Sequence, residues 1–184
     1  MILASSSPRR HYLLSLLGVD FQVLTSDIDE DVGPGETPEE YVLRLAQEKA
    51  RFVSSQTRAG QVVIAADTAV VDGNKILGKP VNREDALAML RSLRARGHHV
   101  FTGLAVHDPL DEKVVMDLCI TEVKMRSYSD TEMEAYVTSG DPMDKAGGYA
   151  IQNPGFNPVE KVTGCYSNVV GLPLCHLSDM LQQM

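Results

Sequence analysis

A carboxylate interrupts an apolar run at Asp67, within Val62-Val63-Ile64-Ala65-Ala66-Asp67-Thr68-Ala69-Val70-Val71. An ionised group is unfavourable there unless it is paired, bound to a metal or set at an open strand end. In α/β sheets ligands bind beyond the carboxyl ends of strands, and an aspartate in such a place can hold a metal ion or take a proton from water. The plainer alternative is an Asp-Thr turn that caps the following segment. Three cationic features raise the same question. Arg9 and Arg10 follow Ser7-Pro8 at the start of a predicted helix, where the macrodipole disfavours a cation by about 0.3–1 kcal/mol. A bound anion reverses that sign, and serine hydroxyls, free N–H groups and two guanidiniums supply the donors of a phosphate site. A solvated surface pair is the equal alternative. Lys49 falls inside the apolar stripe Tyr41, Val42, Leu45, Ala46, Phe52 and Val53; without a partner it is a snorkelling lysine at the stripe's edge, and with one it is an ammonium aimed into a cleft. Lys79 stands between Gly78 and Pro80, where a constrained backbone can direct a point charge at phosphate; taken alone it is an ordinary surface turn.

Other chemistries lack their motifs. GxxxxGK(S/T), GxSxG, HExxH and a strand-following GxGxxG are absent, so P-loop, nucleophile-elbow, zincin and dinucleotide-binding readings fall away. The pair His98-His99 precedes a predicted strand and reads as structural. Three cysteines, Cys119, Cys165 and Cys175, form no CxxC and no even framework; they predict buried thiols in a reducing compartment. The net charge of −8 with no basic run argues against nucleic acid as a partner, and leaves small phosphate esters open. No apolar run reaches membrane-spanning length, and MILASSSPRR lacks the features of a signal peptide. The expected location is the cytoplasm, with no membrane partner.

These residues need elements to position them. Hydrophobic residues make up 43% of 184, enough for a substantial core in one domain or two small lobes. Ile2–Ala4 and Phe21–Leu24 predict strands around a helix capped by Ser7 and stopped at Gly18. The acidic loop Asp27–Asp31 follows. Thr37-Pro38-Glu39-Glu40 forms a capping box opening a helix to about Ser54. Gln61–Ala66 predicts a buried strand that Asp67 and Thr68 interrupt and residues 69–71 resume, with a hairpin over Val70–Leu77. A helix over Arg83–Leu93, long strands over Val100–His107 and Lys113–Met125, and a helix capped by Ser129 or Asp130 come next. Gly147–Gln152 predicts a tight turn into a short strand, followed by a strand near Val159–Val162 and a last helix from Pro173 to about Gln182. The pattern is α/β: a mixed twisted sheet with helices on its faces.

In family order, the chain carries Leu3-Ala4-Ser5-Ser6-Ser7-Pro8-Arg9-Arg10, Asp29-Glu30, Gln47-Glu48-Lys49-Ala50, Ala66-Asp67-Thr68, Gly78-Lys79-Pro80, Asp144 to Gln152 (DKAGGYAIQ) and Val169-Val170-Gly171-Leu172-Pro173. Together these resemble the Maf family of nucleoside triphosphate pyrophosphatases across nearly the whole chain. The resemblance implies a single Maf-like domain over 1–184, with the ITPase-like architecture of two lobes around a central cleft. It implies hydrolysis between the α and β phosphates to a nucleoside monophosphate and pyrophosphate, with a divalent cation, magnesium or manganese. It casts Asp67 as proton acceptor for water, Glu30, Lys49 and Lys79 as the other active residues, and Arg10, Thr68 and Gln152 as selectors of substrate. Members acting on dTTP and UTP resemble the tyrosine-to-glutamine stretch ending at Gln152, where a carboxylate marks those preferring 7-methyl-GTP. Ala150 stands where a glycine is usual.

An amide at Gln152 offers both donor and acceptor to a pyrimidine edge. Ser7, Arg9 and Arg10 supply a phosphate site, and Lys49 and Lys79 add cations in an otherwise acidic protein. Glu30 and Asp67 can both hold a metal, or one holds it while the other activates water. Two other functions remain in view: a pyrophosphatase for another, modified nucleotide, and a non-catalytic regulator of cell division or septum formation. A homodimer is compatible with the family, although no sequence feature of this chain points to one.

Overall fold

The computed structural model describes residues 1–57 and 60–184. Strand β1 (Ile2–Ala4) leads to α1 (Pro8–Ser15), capped by Ser7, whose Oγ accepts the Arg10 N–H at 3.5 Å with Pro8 in the first turn. Strand β2 (Gln22–Leu24) and the acidic loop precede α2 (Pro38–Gln56). The capping box is closed in both directions: Glu40 N–H donates to Thr37 Oγ1 at 3.3 Å, and Thr37 N–H to Glu40 Oε2 at 2.9 Å. Such a cap stabilises a helix by about 1 kcal/mol.

Strands β3 (Val63–Asp72) and β4 (Lys75–Leu77) form the expected hairpin, with Val70 opposite Leu77. Helix α3 (Arg83–Leu93) begins at Asn82, whose side chain accepts the Asp85 N–H. Long strands β5 (Gly97–Asp108) and β6 (Lys113–Met125) follow, then α4 (Asp130–Thr138) with a second capping box at Ser129 and Glu132. Strand β7 (Val159–Thr163), a short α5 (Tyr166–Val170) and α6 (Leu174–Leu181) complete the chain.

The strand order is β2-β1-β3-β5-β6-β7, with β4 beside β3. β1 pairs in parallel with β2 and β3, whereas β3–β4 and β6–β7 are antiparallel, so the sheet is mixed. The chain forms two compact units, and β3, β5 and β6 each contribute residues to both. The first unit comprises Met1–Thr68, Thr102–Cys119 and Gly171–Met184. Its buried cluster joins Ile2, Ala4, Val63 and Ala65 of the sheet to Ala46, Ala50 and Val53 of α2. There α2 approaches β5 so closely that a Cβ at Gly103 would lie 2.3 Å from the Val42 carbonyl oxygen, so only glycine fits. The second unit, Ala69–Phe101 and Ile120–Val170, has its own core around Leu90, Val123, Met125, Met133, Tyr136 and Phe156. No helix among the described residues is long and apolar enough to cross a membrane.

Three local expectations change, and one helix forms where none is expected. Strand β3 runs unbroken through Asp67 and Thr68, because the aspartate is paired and the strand has no need to end there. β5 starts at Gly97 and so takes in His98 and His99; His98 is buried, with Nε2 2.8 Å from the Tyr149 hydroxyl. Residues 147–152 form turns and no strand. Gly147 and Gly148 take positive φ of 67° and 71°, and a Cβ at Gly147 would meet Val70 at 2.9 Å. Helix α5 occupies a stretch with too few residues to display a helical period.

Candidate active site

Side chains alternate along a strand, so Val63, Ala65 and Asp67 share one face of β3. Val63 and Ala65 pack against Ala46, Ala50 and Val53 of α2. Lys49 lies on that same helical stripe, three residues after Ala46 and four before Val53. The packing therefore delivers Lys49 to Asp67: Nζ is 2.6 Å from Asp67 Oδ1 and 2.6 Å from Glu30 Oε1. The Lys49 and Asp67 side chains are 9% and 10% exposed, whereas Glu30 is 47% exposed and opens the cluster to solvent. Burial pushes the Asp67 carboxyl above the usual carboxylate range, and Lys49 and Arg10 only partly oppose it. The result is a desolvated carboxylate that is more basic than an exposed one.

Glu30 belongs to a loop strapped to α2. The Tyr41 hydroxyl donates to the Glu30 carbonyl at 2.9 Å, and Arg44 Nη2 donates to the Asp31 carbonyl at 3.0 Å. Arg44 also grips Glu36 through both carboxylate oxygens, at 2.5 and 2.9 Å, while Glu36 accepts the Gly33 N–H at 2.8 Å. Burial, with Asp67 and Glu30 nearby, pushes the Tyr41 phenol up to about 12, so its hydroxyl remains a donor.

Thr68 points to the opposite face of β3, where it meets Arg10. The guanidinium donates from Nε to the Gly171 carbonyl at 2.8 Å, from Nη2 to Thr68 Oγ1 at 3.0 Å and from Nη1 to Ser5 Oγ at 3.4 Å. Thr68 and Thr102 share a hydroxyl hydrogen bond of 2.9 Å. Burial lowers the Arg10 pKa, Asp67 counters it, and Arg9 adds to the lowering; a guanidinium still keeps its charge. Ser7 Oγ serves as the cap of α1.

Ser7, Arg9, Arg10, Glu30, Lys49, Asp67 and Thr68 all belong to the first unit, where direct contacts join Glu30 and Asp67 to Lys49, Arg10 to Thr68, and Ser7 to the Arg10 N–H. Lys79 and Gln152 belong to the second unit, and both are exposed. Their segments adjoin there: the Gly147 N–H donates to the Gly78 carbonyl at 3.0 Å. Ala150 takes none of the positive φ angles that a glycine would license, so its Cβ is accommodated without strain.

Sequence reasoning overlooked Tyr41 as a tether, Thr102 as the partner of Thr68, and the Gly171 carbonyl as an anchor of Arg10. Thr102 had a usable signal, since it is a hydroxyl within the apolar run Val100–Val106. A carbonyl acceptor such as that of Gly171 leaves no trace in residue type.

Among the described residues no group of three or more His, Cys, Asp and Glu could hold a metal. Glu30 and Asp67 nevertheless both direct an oxygen at one cation, the Lys49 ammonium. Two carboxylates completed by water and substrate phosphate match the habit of Mg²⁺, which seldom uses an all-protein cage. The pair therefore fits such an ion.

The family model described as Maf-like protein matches residues 1–184. A dTTP/UTP pyrophosphatase of Geotalea uraniireducens is 47% identical over 184 residues, spanning 100% of this chain and 94% of the relative. One from Dictyoglomus thermophilum is 46% identical over 186 residues, spanning 100% and 95%. Among solved structures, a HAM1 protein from Coxiella burnetii superposes with a TM-score of 0.51 at 14% identity, covering 100% of this chain and 98% of the other. The Staphylococcus aureus Ham1 protein gives 0.50 at 16% identity, covering 86% and 78%. At these identities the structural likeness concerns the fold alone.

Proposed function

We propose that this chain, which belongs to the Maf-like protein family, hydrolyses dTTP and UTP to the monophosphate and pyrophosphate. The observation that carries the chemistry is the buried Asp67 carboxylate held by Lys49, with Glu30 on the same ammonium. The substrate reading rests on full-length relatives that bear the name dTTP/UTP pyrophosphatase.

Cleavage of the α–β anhydride consumes one water. Its oxygen bonds to phosphorus, the bridging oxygen leaves with the departing phosphate group, and one proton must be accepted. Asp67 takes that proton, its basicity raised by burial. Lys49 orients the carboxylate and offsets the negative charge gathered around it. Arg9, Arg10, Lys79 and the serine-rich turn at Ser7 bind phosphate oxygens, a role suited to reactions governed by positioning and charge. Glu30 and Asp67 would hold a divalent cation, magnesium or manganese, which neutralises phosphate charge when bound. Arg10, Thr68 and Gln152 select the substrate, and the Gln152 amide supplies a donor and an acceptor to the pyrimidine edge.

We assign the protein to the cytoplasm, where nucleotides are abundant and its cysteines, of which only Cys119 is buried, stay reduced; sedimentation tests whether the chain forms a homodimer. The central experiment is turnover of a panel of nucleoside triphosphates with magnesium or manganese and identification of the products. dTTP and UTP with pyrophosphate release support the reading. Turnover of 7-methyl-GTP with negligible dTTP hydrolysis would reject the substrate, and release of the γ-phosphate would reject the reaction.

A further inference from the structure

Gln152 sits at the exposed tip of a turn whose two ends are held by one pair of side chains. On the N-terminal side the buried Ala150 donates its N–H to the Tyr136 hydroxyl at 3.0 Å. On the C-terminal side Asn153 donates from Nδ2 to Asp141 Oδ2 at 3.1 Å, and its own N–H closes the turn on the Ala150 carbonyl at 3.2 Å. The two anchors are joined, because Tyr136 donates its hydroxyl proton to the same Asp141 Oδ2 at 2.8 Å. Each partner is used to capacity: the phenol accepts once and donates once, and Asp141 Oδ2 accepts twice. Lys145 holds the other oxygen of Asp141 at 3.0 Å.

Packing fixes the clamp in place. The Tyr136 ring stacks on Phe156 with centroids 4.4 Å apart and planes 14° from parallel. Phe156 in turn donates its N–H to Asn153 Oδ1 at 2.8 Å. Tyr136 itself comes from the buried face of α4, with Met133 and Val137. Ile151 and Gln152 are left as a two-residue excursion, one flank tied to Tyr136 of α4 and the other to Asp141 in the 3-10 turn Asp141–Asp144 that follows it.

We propose that Tyr136 and Asp141 are positioning residues for substrate choice, which fix the turn bearing Gln152 so that its amide meets one base edge; this rests on the reading of Gln152 as a base selector. Neither residue touches the substrate. Their effect is on discrimination, because an amide on a loosened turn contacts matched and mismatched bases alike.

The test compares kcat/KM for dTTP and dATP in the full-length protein. Gln152→Ala is measured first and lowers the dTTP/dATP ratio if Gln152 reads the base. Tyr136→Phe keeps the stack on Phe156 and removes only the hydroxyl; it should lower the same ratio by about tenfold, the size of one lost hydrogen bond. Asp141→Asn gives an independent second variant that should shift the ratio in the same direction. A merely structural role would depress both substrates together and leave the ratio intact. Combining Tyr136→Phe with Gln152→Ala should give no further fall in the ratio beyond Gln152→Ala alone. An altered ratio in Gln152→Ala with unaltered ratios in Tyr136→Phe and Asp141→Asn overturns the clamp while sparing the selector. An unaltered ratio in Gln152→Ala overturns both.

Discussion

The Lys49 ammonium lies 2.6 Å from the Asp67 carboxylate, both side chains about nine-tenths buried, at the point where α2 crosses the face of β3. Neither charge is stable there alone. A buried ion pair seldom adds much net stability against an apolar replacement, yet breaking one partner is strongly destabilising. Its presence in an otherwise apolar layer is better explained by chemistry than by stability.

Replacing Asp67 with Asn separates those two roles. The amide keeps the shape, and Lys49 keeps Glu30 as a counter-charge, so the fold should survive with circular dichroism unchanged. Hydrolysis should fall by at least the ~10²–10⁴-fold that a general base contributes. Wild-type turnover in this variant would remove Asp67 from the mechanism.

The pH profile reports the same group. Burial places the Asp67 pKa above its ordinary value, and as the proposed proton acceptor Asp67 must be ionised. Activity should therefore be lost, as pH falls, through a limb lying above the ~3.9 of an exposed aspartate. The linkage has the opposite sense for stability: a raised folded pKa favours the native state below the unfolded value, and that advantage disappears as pH rises through the folded pKa. Lys49 opposes the upward shift, so Lys49→Met should move the acid limb of kcat/KM to still higher pH. A limb that stays in place, or moves down, contradicts the pairing.

Much of this arrangement was legible before the fold was known, and the reasons are local. Thr37 and Glu40 mark a helix start because orphan N–H groups demand acceptors. Asp67 and Lys49 each break an apolar pattern of known period, and two such breaks on packed faces find each other. What was hidden is nonlocal or irregular. Tyr41 belongs to the helical stripe whether or not its hydroxyl reaches Glu30. Tyr149 and Ile151 are strand-forming types, yet two glycines at positive φ and the hydrogen bond to Gly78 hold residues 147–152 as turns. β3 was expected to break at Asp67 because an unpaired carboxylate would end a buried strand. Lys49, on α2, removes that penalty from outside the strand.

His98 gives a prediction in the second unit. It is 2% exposed and bonded to the Tyr149 hydroxyl, and burial lowers its pKa to about 4, with Asp72 opposing and His99 and Arg96 reinforcing. The unfolded chain binds the proton near pH 6.5, so the native state binds fewer protons between those values. Stability from neutral His98 is complete above about 6.5 and is lost as pH falls toward 4, by an amount on the order of 3 kcal/mol. Denaturation of wild type and His98→Gln across this window should show a steeper acid loss in the wild type. Parallel slopes would mean that His98 is not held neutral.

Arg10 tests whether geometry or charge governs the opposite face of β3. Its three nitrogens reach three different acceptors: the Gly171 carbonyl, Thr68 and Ser5. An ammonium carries the same charge on a single atom and cannot span that fork. Arg10→Lys therefore leaves at least one of these acceptors without its donor, and a hydrogen bond to a charged group is worth about 1.5–3 kcal/mol. Steady-state kinetics on dTTP should show kcat/KM reduced by roughly tenfold to a hundredfold, with the net charge of the protein unchanged. If lysine restores full kcat/KM, the site needs only a positive charge at Arg10, and the fixed contacts with Thr68 and Gly171 play no part in substrate choice.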